Sequence, residues 1–231
     1  MNAKAWGRIA GALWLVTIGL GLFAEASVRS NLITRDALTT ITNVLNHDGV
    51  YRLGEAALFT GTATYLALTA IMYRLLAPVS RNLSLIAALF SIVGCGFWML
   101  SLVGDAAPFA FFVDGRTALG ASPETTQALA FAFMRLHSET LLLGMLCFGV
   151  HCLLMGLLIV RAPFLPALIG LVLAAGGACY MAVGYLHILS PALFAQFGDF
   201  LFLPGEAGEV MIALWLAIVG LNAAKWKDAQ V

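Results

Sequence analysis

Five residues carry the chemistry that this sequence offers: Glu25, Arg29, Arg52, His137 and Glu209. Each is a charged or titratable side chain near the margin of a long apolar stretch, and all five fall toward the same end of those stretches. Carboxylates, an imidazole and guanidinium groups at one depth can bind a polar ligand, hold a hard or borderline divalent ion, or move a proton. Glu55, Glu139 and His187 lie at a similar level and are secondary candidates.

Depth follows from the uncharged runs. Sixteen residues separate Arg8 from Glu25 and fifteen separate Glu209 from Lys225, so these runs reach ~23–24 Å along a helix, short of a ~30 Å hydrocarbon core. Either the basic ends snorkel inward or the carboxylates sit below the interface. Glu55 to Arg74 leaves eighteen residues and Glu139 to Arg161 twenty-one. The expected order of immersion is Glu209 and Glu25, then Glu55, then Glu139. An ionised carboxylate in hydrocarbon costs ~2.5–3.5 kcal/mol, so several at one level imply a shared polar cavity.

Local pairing is the competing explanation. Glu55 and Glu139 fall in the first turns of inward-running helices, where the dipole favours them, and Arg52 and Arg135 stand three and four residues away. Glu25 instead lies near a helix C-terminus, where negative charge is unfavourable, and Glu209 has no cation within four residues. Those two call for another explanation, and a functional role supplies one. His47 and His187 read as hydrogen-bonded interfacial residues, and His151 as mid-membrane. His137 and Glu139 point to different sides of a regular helix, so they do not share one small ion. His137 and His151 share a face, as haem-binding helices do, but no second helix carries a matching pair.

The elements that position these residues are read from composition. With 61% hydrophobic and 10% charged residues and a mean hydropathy of +0.95, the chain is too apolar for a soluble fold, in which about a quarter of residues are charged. Six apolar stretches, roughly 6–27, 52–75, 83–104, 136–160, 164–187 and 204–223, approach the ~20 residues of a spanning helix. Nothing has the alternating pattern of a membrane barrel. The expected fold is an all-α integral membrane protein, one transmembrane domain over 1–231, with six spans and both termini on one side.

Lys4, Arg8, Arg74, Arg81, Arg161, Lys225 and Lys227 belong to the termini and to the connections 76–82 and 161–165, opposed only by Asp228. The positive-inside rule makes this side cytoplasmic. The other eleven acidic residues gather at the opposite, outer end. There, residues 36–47 place Leu38, Ile41, Val44 and Leu45 at helical spacing, an amphipathic helix in the first outer loop. Residues 105–121 hold Pro108, an aromatic run and a Val-Asp-Gly-Arg turn signal, and 188–205 hold Pro191 and Pro204 among phenylalanines that dip into the headgroups. Ser122-Pro123-Glu124 is a helix start; a helix from there to Val160 would project beyond the bilayer. Ala24-Glu25-Ala26 imitates a signal-peptidase site, but the first segment is read as a retained span. The four cysteines form no Cys-x-x-Cys pair and read as small packing residues. Arg52-Leu-Gly-Glu55 and Arg135-Leu-His-Ser-Glu139 open spans that both end at Ala-Pro, an internal repeat of helix hairpins.

Several ordered signatures carry a family resemblance. They are Arg8-Ile-Ala-Gly-Ala-Leu-Trp-Leu, Gly21-Leu-Phe-Ala-Glu25-Ala-Ser-Val-Arg29-Ser, Tyr51-Arg-Leu-Gly, Tyr73-Arg-Leu-Leu-Ala-Pro-Val-Ser-Arg81, Leu136-His137, Arg161-Ala-Pro-Phe-Leu-Pro, and Glu209 with Ala213-Leu-Trp-Leu. Over nearly the whole chain the sequence resembles the bacterial membrane family called domain of unknown function 4386. The resemblance implies six helices, a bacterial inner-membrane location and recurrent positions at Glu25, Arg29, Arg52, His137 and Glu209. It implies no activity. Trp14 stands where the family pattern implies Tyr, and Ser138-Glu139 departs from a less charged pattern, which makes Glu139 the weaker candidate.

The expected function is an outward-facing Glu/His/Arg pocket that binds a small or lipid-like ligand, with or without a divalent metal, for which Glu25, His137 and Glu209 are the candidate ligands. A metal-dependent membrane hydrolase, a proton-coupled transporter and a structural or partner-binding subunit are the alternatives. Membrane lipid is the expected surrounding partner. Nothing indicates a nucleotide loop or nucleic-acid binding.

Overall fold

A computed structural model describes residues 2–113, 116–117 and 120–230. It is nearly all helical, and six of its helices are long and apolar enough to cross a membrane. The first comprises α1 (Ala3–Ala24), a π-helical turn (Glu25–Arg29) and α2 (Ser30–Leu32). The others are α4 (Asp48–Leu76), α5 (Arg81–Asp105), α7 (Pro123–Arg161), α8 (Ala167–Leu189) and α9 (Pro191–Ile218). Shorter helices are α3 (Ala37–Asn46), α6 (Ala107–Phe111) and α10 (Ala223–Asp228). A minimal β ladder pairs Phe112 with Thr117 and Val113 with Arg116. The turn signal between them falls on residues 114 and 115, outside the described residues.

Side chains mark the helix starts. Asn2, Ser80, Ser122 and Asn222 each accept a backbone N–H two or three residues on, satisfying donors that the first turn leaves free. Asp36 caps α3 by accepting the Thr39 N–H at 2.7 Å, and this bond holds its carboxyl below the usual value. On α3, Ile41 and Val44 are buried as expected of an apolar face, whereas Leu38 is exposed.

Two helices extend beyond their apolar stretches, α7 from the start that Ser122-Pro123-Glu124 marks. α7 runs 39 residues from Pro123, ~57 Å at 1.5 Å per residue, so its first turns lie outside the apolar stretch 136–160. α9 begins at Pro191, not near 204, and passes through Pro204. The segment expected as a Pro-broken loop is therefore helix. Pro204 removes one helical hydrogen bond, but an unwound segment in an apolar surrounding would strand many backbone groups.

Each long helix packs on the next, α1 on α4, α4 on α5, α5 on α7, α7 on α8 and α8 on α9, and α9 returns to α1 to close a six-membered ring. Inside the ring, toward the end bearing the termini, lies the larger core, which includes Leu68, Met72, Phe148, Met155, Ile212 and Leu216. At the acidic end a smaller core joins Val28, Leu32, Ile41, Val44, Tyr51 and Met134, capping the ring with α2, α3 and the ends of α4 and α7.

Small residues let the helices approach. A Cβ on Gly156 would lie 2.5 Å from the Ala174 nitrogen and 2.6 Å from the Gly170 oxygen, so α7 and α8 touch through backbone here. Gly19, by contrast, has nothing within 4 Å. Gly156→Leu is expected to lower stability by ~1–3 kcal/mol through overpacking. Gly19→Ala should leave it unchanged or raise it slightly. Unfolding midpoints in detergent check the contrast; equal midpoints for the two variants would contradict it.

Candidate functional site

Between the two cores lies a polar layer whose centre is Asp105, a residue the depth argument passed over. Asp105 ends α5 and is fully buried. Arg29 Nη1 stands 3.2 Å from its Oδ2 and 3.5 Å from its Oδ1. His137 Nδ1 lies 2.5 Å from Oδ2, in contact with the carboxylate. The Tyr51 hydroxyl donates to the Asp105 backbone oxygen at 3.1 Å.

Local backbone features make this meeting possible. A Cβ on Gly104 would fall 2.4 Å from the Phe133 oxygen and 3.2 Å from the His137 nitrogen, so only glycine lets α5 reach α7 beside the histidine. The π turn sets the register of Arg29. Its Ser30 N–H bonds the Glu25 oxygen, and Asn31 Nδ2 donates to the Ala26 oxygen at 2.7 Å, occupying an acceptor that the widened turn loosens. Gly54 admits Val28 of the same turn, whose Cγ2 stands 2.5 Å from where a Cβ would be.

Glu25 lies at the edge of this layer. Its side chain is 65% exposed, stands 4.0 Å from Arg29 Nε and accepts from the Ser30 hydroxyl at 3.3 Å. Glu209 is deeper. Trp14 Nε1 donates to its Oε2 at 3.0 Å, and the Tyr180 hydroxyl to its Oε1 at 3.1 Å. Two neutral donors from α1 and α8 thus hold a carboxylate for which the sequence offers no local cation. Trp14, standing where the resemblance implies Tyr, still provides a donor. Tyr180 in turn fits against Gly205, where a Cβ would strike its ring.

A cavity of about 290 Å³ runs through the polar layer, and Glu25, Arg29, Tyr65, Trp98, His137 and Glu209 all line it. Tyr65 is packed edge-on against Trp14 and Phe148. Its hydroxyl, Trp98 Nε1 and His137 Nε2 are buried without a hydrogen-bond partner.

The remaining expected residues lie elsewhere. Arg52 is outside this cavity, with its guanidinium 4.0 Å from the Phe109 ring centroid and 3.8 Å from Asp48, so it pairs with Asp48 and not with Glu55. Glu55 is half-buried, one turn after Tyr51, and close enough to Asp105 to interact with it. Glu139 pairs with His187 Nε2 at 2.7 Å in place of Arg135. His137 and Glu139 face different helices, as their spacing requires. His151 bonds the Ala87 oxygen through Nδ1 at 2.9 Å, a packing role between α7 and α5. All four cysteines are free thiols. Glu25, His137 and Glu209 do not gather into a ligand set. Among the described residues, no three His, Cys, Asp or Glu are arranged to hold a metal ion. Each of the three is drawn to a different partner, Arg29, Asp105 and the Trp14–Tyr180 pair respectively.

Sequence reasoning missed Asp105 although the signals used for other residues apply to it. It lies at the C-terminal end of a helix that runs away from the basic end, like Glu25, and has no cation within four residues, like Glu209.

The family model described as Domain of unknown function (DUF4386) matches residues 9–220. The chain belongs to this family. A relative from Archaeoglobus fulgidus, described as an uncharacterized protein, is 26% identical over 151 residues, which cover 64% of this chain and 72% of the relative. No solved structure matches significantly. The residues of the polar layer, from Trp14 to Glu209, all lie within the DUF4386 match.

Removing one member of a buried pair leaves the other charge uncompensated. In this DUF4386 chain, Asp105→Ala should cost ~3 kcal/mol, at the low end of the usual range because Arg29 keeps some contact with water. Glu25→Gln, at an exposed pair, should cost under ~1 kcal/mol. Equilibrium unfolding in mixed micelles measures both; a loss for Asp105→Ala no larger than for Glu25→Gln would show that the buried pair does not hold the layer.

Proposed function

We propose that this chain is a multi-pass protein of the bacterial inner membrane, with both termini in the cytoplasm and α3 at the outer face, whose outward-facing cavity binds a small or lipid-like ligand bearing hydrogen-bond acceptors. Orientation rests on the seven lysines and arginines at the termini and the two short connections.

One observation carries the binding role. The Tyr65 hydroxyl, Trp98 Nε1 and His137 Nε2 are buried without partners, and all three residues border the cavity. A buried donor left unsatisfied costs ~1–3 kcal/mol, so unmatched groups around one space favour an occupant that completes them. Trp98 Nε1 is a donor only, and Arg29, which lines the same cavity, is also a donor. The complementary ligand offers carbonyl, carboxylate or phosphate oxygens. Glu209, at the inner end, adds an acceptor for a ligand hydroxyl or amine.

Binding is favoured over passage by what lies beneath the cavity. Leu68 and Met72 on α4, Phe148 and Met155 on α7, and Ile212 and Leu216 on α9 fill the ring toward the terminal end. A carrier would need a polar path there.

The test is the recovery of bound molecules. The full-length chain, purified from bacterial membranes in mild detergent, is extracted with denaturing solvent and its small molecules and lipids are quantified by mass spectrometry. A co-purifying species at near-stoichiometric amount is expected, retained about ten-fold less by the Tyr65→Phe, Trp98→Phe double variant. Equal recovery from both proteins, or no bound species in either, would overturn the reading.

A further inference from the structure

A second depression, of about 440 Å³, opens at the acidic end of the molecule and is lined by Arg29, Thr34, Arg35, Arg135, Ser138 and Glu139. Three arginines thus converge on one space at the end of the chain where eleven of its twelve acidic residues lie. Arg29 is engaged by Asp105 and Glu25. Arg35 and Arg135 form no ion pair among the described residues. The acids next to them in sequence have other partners: Glu139 has His187 at 2.7 Å, and Asp36 has the α3 cap at 2.7 Å.

Two guanidinium groups without an ion pair among the described residues, beside a third and the Thr34 and Ser138 hydroxyls, are complementary to a tetrahedral oxyanion, because each planar fork presents two parallel N–H donors to two oxygens. We propose that the Arg29, Arg35 and Arg135 depression binds a phosphate group, carried by a phospholipid headgroup or by a soluble phosphate ester. Ile33, Phe131 and Met134 complete its lining, so one part of the wall is apolar. That apolar part suits the glycerol and first acyl carbons of a lipid as well as the carbon skeleton of a soluble ester. The site is separate from the interior cavity except for Arg29, which lines both.

Binding is measured on the full-length protein in detergent by native mass spectrometry with phosphatidylglycerol, and by calorimetric titration with glycerol 3-phosphate and with inorganic phosphate. Arg35 and Arg135 are exposed, so the Arg35→Gln, Arg135→Gln double variant should fold normally. The expected result is at least ten-fold weaker binding of the phosphate-bearing probe by that variant, and unchanged binding by Tyr65→Phe, Trp98→Phe. Binding of phosphatidylglycerol alone supports the headgroup source; binding of the soluble probes with the same arginine dependence supports the soluble source. No binding of any probe, or equal binding by the arginine variant and the wild type, would overturn the proposal. An arginine-dependent phosphate site together with an empty interior cavity would overturn the reading of that cavity while leaving this one standing.

Discussion

The Asp105 carboxylate, buried where α5 ends, is the constraint around which the acidic half of the molecule is arranged. Its position at a helix C-terminus adds to the cost of burial, because the dipole there opposes negative charge. Local sequence offers no cation within a turn, so the compensation comes from other helices: Arg29 from the π turn, the His137 ring from α7 and the Tyr51 hydroxyl from α4 on the backbone. Each partner requires something of its own helix. Gly104 lets α5 close on α7, Gly54 admits Val28, and the π turn gives Arg29 its register. One electrostatic demand therefore explains features that look unrelated along the chain.

The polar layer is sandwiched between two apolar cores, and this placement gives it its chemical character. The cap of α2, α3 and the ends of α4 and α7 shields it at the acidic end, while the large core fills the ring below. Between them the effective dielectric is low, so charge–charge contacts and hydrogen bonds are stronger than at a surface and unmatched donors are more costly. Asp105 and Glu209 are both matched by protein groups, one by an arginine and one by two neutral donors. The Tyr65 hydroxyl, Trp98 Nε1 and His137 Nε2 bordering the cavity are not. Within one layer, the matched acids hold the helices and the unmatched groups face the open space.

Close backbone contact is the other structural theme. Gly156 against Gly170 and Ala174, Gly177 against Gly149 and Leu153, and Gly176 against Gly205 draw α7, α8 and α9 together. Helices in lipid gain little from burying apolar side chains against each other, since lipid is equally apolar, so dispersion contacts at short range carry more of the association. Large side chains such as Leu85, Leu100, Leu168 and Phe200 remain on the outside, as expected where the solvent is hydrocarbon.

The sequence by itself determined that the chain is helical and apolar, that it has six long spans, that its charges separate to two ends, and that Glu25, Arg29, His137 and Glu209 belong toward the more acidic of them. These properties depend on composition and on counting residues at a fixed rise per residue, which need no partner. Only the tertiary structure decided the pairings. Arg52 meets Asp48 and Phe109, Glu139 meets His187, and Asp105 meets Arg29 and His137, because contacts between helices depend on rotation and crossing that a single chain's spacing does not encode. The π turn escaped notice because one extra residue in a turn leaves composition unchanged. The helix through Pro204 escaped because the proline rule is weighted for water, where an unwound backbone finds other partners, whereas in an apolar surrounding it does not.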